Sequence, residues 1–196
     1  MKLRIKLLLL ILLIPFVYSG CKKSINVAIH DLYNREINMS WRNVYIDDNM
    51  VLPDYAFNKP IKIVVYVDST LCLSCFGSYL ERVHDYMLTQ NKDSVEYICV
   101  LQPRSIEKIQ ELLRSVENTN VSLVMDMDDV FTKKNSLEEY TDVLTSFLLD
   151  ENNKVLVIGD PVRSKKVREL YKKTLSTISN GSNKKHVWYR RYSKQS

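Results

Sequence analysis

The sequence predicts an α/β fold, a central mixed sheet flanked by helices, and three observations carry that prediction. Residues 61–67, Ile-Lys-Ile-Val-Val-Tyr-Val, are a nearly continuous β-branched run, the composition of a strand covered on both faces. Beyond them the apolar period changes: Phe76, Tyr79, Leu80, Val83, Tyr86 and Met87 fall at steps of three and four, which predicts a helix. The alternation then repeats and closes with two apolar runs around the polar turn Asp150-Glu151-Asn152-Asn153, the pattern of a β-hairpin.

Taken in order, the chain starts with Lys2, Arg4 and Lys6, then an apolar run over residues 7–17 interrupted by Pro15. This is the layout of an export signal and is short for a membrane span. Tyr18-Ser19-Gly20-Cys21 ends the run with small residues before a cysteine and resembles the lipobox of bacterial lipoproteins, although Tyr18 stands where that motif usually has Leu. The resemblance implies cleavage before Cys21 and acylation of its thiol and new N-terminus by chains such as palmitate, which together hold a protein durably on a membrane.

Ile25, Ile29, Leu32 and Tyr33 have helical spacing. Residues 44–46 and 50–52 read as two short strands around Asp47-Asp48-Asn49, a small hairpin ahead of the main domain. After the strand and helix already described come a strand over 95–101, a helix face on Ile106, Ile109, Leu112, Leu113 and Val116, and a strand over 121–125. Residues 126–143 are polar, with a short helix near Val130 and Phe131. A last helix carries Val167, Leu170, Tyr171, Leu175 and Ile178 on one face.

The formal net charge is +5, but it is concentrated at the ends. Without the three basic residues of the leader and the five from residue 179 onward, residues 21–178 hold 20 basic against 23 acidic residues, a net −3. A nucleic-acid surface is therefore not expected.

Cys72 and Cys75 sit two residues apart where the strand gives way to the helix. A sulfur at a helix start lies over unpaired N–H groups and the positive end of the helix dipole, and both favour the thiolate. In that geometry Cys72 is the attacking thiolate and Cys75 the resolving thiol. The spacing alone also admits a permanent disulfide or a metal ligand pair. Zinc needs about four ligands, and no second close Cys or His pair exists; a copper site from Cys72, Cys75 and a histidine such as His84, on the flank of the same helix, has no supporting motif, and nothing in the sequence binds a nicotinamide or flavin, so no metal and no cofactor is expected. Cys99 lies inside an apolar strand and reads as core.

The order β-α-β-α-β, hairpin, helix, with a Cys-x-x-Cys pair at the first strand-to-helix turn, resembles the thioredoxin fold and in particular the membrane-anchored TlpA/ResA-like group of bacterial envelope proteins. The resemblance rests on Val64-Val65-Tyr66-Val67 leading into Cys72-Leu73-Ser74-Cys75, and on Thr145-Ser146-Phe147-Leu148-Leu149-Asp150 followed by Lys154-Val155. It divides the chain into a leader (1–20), a tether and N-terminal extension (21–44), a thioredoxin-like domain (45–178) and a basic flexible tail (179–196). It implies a lipid-anchored thiol-disulfide oxidoreductase facing the periplasm, acting on envelope proteins with disulfides and recharged by a membrane thiol donor. The alternative is a non-catalytic binding module with a structural disulfide. Three features depart from the family pattern: Leu71 and Leu73-Ser74 replace the Trp and Gly-Pro around the cysteines, Tyr66 stands in place of a buried acid, and Leu144 in place of a cis-proline.

Overall fold

The computed structural model describes residues 25–40, 44–46, 49–51, 57–67, 72–91, 93–102, 121–126, 128–138, 140 and 146–179. The leader, Cys21, Asp68, Leu71, the helix expected over 106–116, Leu144 and the tail beyond Ser179 lie outside them.

The described elements run α1 (Ile25–Leu32), β1 (Val44–Ile46), β2 (Asn49–Val51), β3 (Ile61–Val67), α2 (Leu73–Leu88), β4 (Val95–Leu101), β5 (Ser122–Met125), α3 (Val130–Asn135), β6 (Ser146–Leu149), β7 (Val155–Ile158) and α4 (Lys165–Ser179). The strands form one seven-stranded sheet in the order β2-β1-β5-β4-β3-β6-β7. Strands β3, β4 and β5 are parallel, whereas β6 pairs antiparallel with β3, and β7 with β6. The mixed sheet expected from the sequence is present. The hairpin β1–β2, expected ahead of the main domain, extends the same sheet, because β1 pairs antiparallel with β5 at Tyr45 and Leu123.

Strand β3 is central, and its side chains divide between two cores. Ile63, Val65 and Val67 pack with α2 and with Tyr171 of α4, while Val64 packs with Leu32, Phe131 and Phe147 on the other face. This two-sided burial is why β3 reads as a continuous apolar run and not as an alternating one.

Local chemistry fixes the ends of the elements. The Asp126 carboxylate accepts hydrogen bonds from the Val130 and Phe131 N–H groups at 2.7 and 3.0 Å and satisfies the start of α3. Asp150 accepts from the N–H groups of Asn152 and Lys154, both at 2.9 Å, and Asn153 takes a φ of 59°, so the polar turn between β6 and β7 closes on its own side chain. Thr89 ends α2 through its N–H and its hydroxyl, both donated to the Tyr86 carbonyl.

The segment after α1 lies along β7. Asn34 donates its N–H to Val155 O, Ile37 donates to Asn153 O, and Val155 donates back to Arg35 O, each at 2.9 Å. Glu36 and Lys154 form an antiparallel bridge between these hydrogen bonds.

Candidate active site

The parallel β3–β4 pair runs in register from Ile61 opposite Val95 to Val67 opposite Leu101. At the end of β3 the chain turns into α2, whose N-cap is Cys72, with φ −67° and ψ 127°. An extended N-cap leaves its side chain outside the helix, and both Cys72 and Cys75 are exposed free thiols. The chain thus brings together the two cysteines that the sequence singled out, at the C-terminal edge of the parallel strands.

The Cys72 Sγ lies 3.0 Å from the Ser74 hydroxyl oxygen. A thiolate only accepts, so with Cys72 ionised the hydroxyl donates. That hydroxyl is the largest influence holding the Cys72 pKa down to about 7, followed by the Cys75 backbone N–H and the Cys75 thiol. Cys75 moves the other way, because the hydrogen bond and the charge of Cys72 keep its proton in place. The two sulfurs therefore ionise in sequence: Cys72 first, with Cys75 held as a thiol. An ordinary cysteine is only about 3% thiolate at pH 7, whereas a pKa of about 7 makes the two forms equal.

Tyr66, at the position where the family carries a buried acid, turns to the second core. Its ring stacks on Phe131 with centroids 6.0 Å apart, and its hydroxyl donates to Gln102 Oε1 at 3.3 Å. Gln102 in turn donates to Asp129.

A second polar group, unseen in the sequence reading, lies inside the first core. Tyr79 of α2 donates to Asp160 Oδ2 at 2.9 Å, and its oxygen is 2.6 Å from the Tyr97 hydroxyl of β4. Because the Tyr79 proton is directed to Asp160, Tyr97 donates to Tyr79. Burial pushes both phenols upward, so they stay protonated donors. Asp160 also accepts the Val162 N–H at 2.8 Å and lies 3.4 Å from Arg163 Nε. Tyr171 of α4 donates to Gly159 O at 2.9 Å, which ties the same turn to the last helix. At Gly159 the φ of 115° suits glycine, and a Cβ would sit 3.0 Å from Val167 of α4. The group thus fastens α2, which carries the cysteine pair, to β4 and to the turn after β7.

Cys99 faces this same core, fully buried, and burial together with the Asp160 charge pushes its thiol far up. His84 is half-buried on the flank of α2, and its Nδ1 has no hydrogen-bond partner among the described residues. Among the described residues no group of three or more His, Cys, Asp or Glu could hold a metal ion.

No family model and no curated protein matches the chain. Solved structures do resemble it. A protein described as a DsbE thiol:disulfide interchange protein from Chlorobium tepidum superposes with a TM-score of 0.53 at 13% identity, over 74% of this chain and 97% of that one. An uncharacterised thioredoxin-like protein from Porphyromonas gingivalis gives 0.50 at 19% identity, over 79% and 99%. A protein described as a disulfide isomerase from Bacteroides thetaiotaomicron gives 0.50 at 13% identity, over 72% and 87%. At these identities the likeness speaks to architecture, and with the mixed sheet and the helix-start cysteine pair it supports one statement: this chain has a thioredoxin-like fold.

Proposed function

We propose that the chain is a thiol-disulfide oxidoreductase that works through Cys72 and Cys75. The observation that carries this reading is the pairing of an exposed Cys72, with its pKa lowered to about 7, and a neighbouring Cys75 that keeps its proton. In the reductive direction the Cys72 thiolate attacks one sulfur of a substrate disulfide. A Cys72–substrate disulfide forms, and the second substrate sulfur leaves as a thiolate that takes up a proton. Cys75 then loses its proton and attacks Cys72 Sγ, releasing the first substrate sulfur as a thiolate. The substrate gains two electrons and the protein ends with a Cys72–Cys75 disulfide. Its return to the dithiol requires an external thiol donor, for which a membrane dithiol protein is the proposed class.

The test is disulfide exchange with a model protein disulfide. Cys72→Ser abolishes exchange, and Cys75→Ser accumulates a mixed disulfide through Cys72. An exchange rate untouched by Cys72→Ser excludes the enzyme and leaves a non-catalytic binding module with this fold.

The proposed setting is the cell envelope, with Cys21 lipidated and the domain facing the periplasm toward envelope proteins that carry disulfides. The Ser19-Gly20-Cys21 sequence after an apolar run supports this reading. Mass spectrometry of the mature N-terminus decides it: a diacyl- or triacyl-modified Cys21 is expected, and an unmodified one refutes the anchor.

A further inference from the structure

The two residues between the cysteines differ in what they offer the sulfur: Leu73 has no polar side-chain group, and Ser74 has one hydroxyl. We infer that Ser74 is the hydrogen-bond donor that makes Cys72 the reactive sulfur of the pair. This deepens the oxidoreductase reading of Cys72 and rests on it.

The geometry assigns the role. Cys72 makes no side-chain capping bond to the helix that it begins. Its sulfur has the Ser74 hydroxyl at 3.0 Å, from the second residue of α2. Cys72, Ser74 and Cys75 are all exposed, so the hydroxyl is not committed to a packed interior and can follow the sulfur as its charge changes. An O–H donated to an ionised acceptor is stronger than one donated to a neutral group, so this contact favours the thiolate over the thiol. The Cys75 backbone N–H, the Cys75 thiol and the Ser74 backbone N–H act in the same direction, each with smaller effect. The serine hydroxyl is thus the largest single contribution, to which the helix start adds. Ser74 is also freed by the chemistry: once Cys72 joins a disulfide its sulfur is neutral, the hydrogen bond weakens, and the hydroxyl turns to water. The contact therefore favours the reduced state with Cys72 ionised over the oxidised state, and its loss makes the pair a weaker oxidant.

The experiment follows alkylation of the full chain by iodoacetamide from pH 5 to 10, quantified on the Cys72-bearing peptide by mass spectrometry. In Ser74→Ala the midpoint rises from near 7 by about one unit toward the ordinary thiol range, while the high-pH plateau rate does not fall, because a thiolate of higher pKa is the better nucleophile. Ser74→Thr, which keeps the hydroxyl, retains the parental midpoint. A Ser74→Ala midpoint equal to the parent, or a Ser74→Thr midpoint shifted as far as that of Ser74→Ala, overturns the assignment. A change that only loosened the helix start would shift the midpoint in both variants alike, without this contrast. Alkylation needs no disulfide substrate, so the result is independent of whether the exchange test supports the enzyme.

Discussion

Cys72 and Cys99 belong to one strand-helix-strand unit, yet their thiols are driven in opposite directions. Cys99 lies in β4 opposite Val65, fully enclosed between the sheet and α2, and burial raises its pKa. Cys72 comes five residues after the end of β3, in the open, where a hydroxyl and amide groups bring its pKa to about 7. The contrast lies in solvent and hydrogen-bond donors, since the residue type is the same. It teaches that in this fold a strand interior silences a thiol, while the junction at the end of the strand activates one.

The largest test of this contrast is selective labelling. With iodoacetamide at pH 7, Cys72 is modified in the native protein, and Cys99 reacts on the order of a thousandfold more slowly, because reaching it requires opening the core. Peptide mass spectrometry reads both sites at once, and comparable rates would break the comparison. A smaller effect concerns the polar group that anchors α2. Tyr79→Phe removes the hydroxyl that links Tyr97 to Asp160 and leaves the buried Tyr97 hydroxyl without its acceptor, a loss of about 2 kcal/mol in urea unfolding. Tyr97→Phe keeps the Tyr79–Asp160 bond and costs about 1 kcal/mol. Equal losses would show that Asp160 does not depend on Tyr79. Smallest is the pH response of Cys72 itself. Its folded pKa is lowered, so protonation removes the reactive form as pH falls through about 7, and labelling decreases about tenfold from pH 8 to pH 6. A profile still rising steeply above pH 8 would place Cys72 among ordinary thiols.

Much of the architecture was legible because burial writes periodicity into the chain. Ile61–Val67 is apolar except for Lys62 because both sheet faces are covered, and Phe76 to Met87 recur at helical spacing because one face of α2 meets the sheet. The cysteine pair was legible too, since its place follows from where one period stops and the next begins. Three things were not. The attachment of the β1–β2 hairpin to β5 is a contact between Tyr45 and Leu123, and three-residue strands carry no signal of a partner so far along the chain. The Tyr79–Tyr97–Asp160 group joins residues 18 and 81 positions apart, and each tyrosine reads as ordinary core in its own periodic segment. Ser74 was noted only as a departure from the family pattern. A hydroxyl two residues after a cysteine at a predicted helix start was the available clue, but its partner is defined only once Cys72 takes the extended N-cap geometry.

The segment that runs along β7 has a consequence for any shortened form of the protein. Strand β7 ends the sheet, and where it begins the N–H and C=O of Val155 are bonded to Arg35 and Asn34, with Asn153 just before it bonded to Ile37. A chain trimmed to start after Ile37 would keep every residue of the cysteine site and still present a bare strand edge, the template on which separate molecules zip together into aggregates. Solubility would fail before chemistry does, and a truncation that looks conservative from the position of the cysteines is the one to avoid.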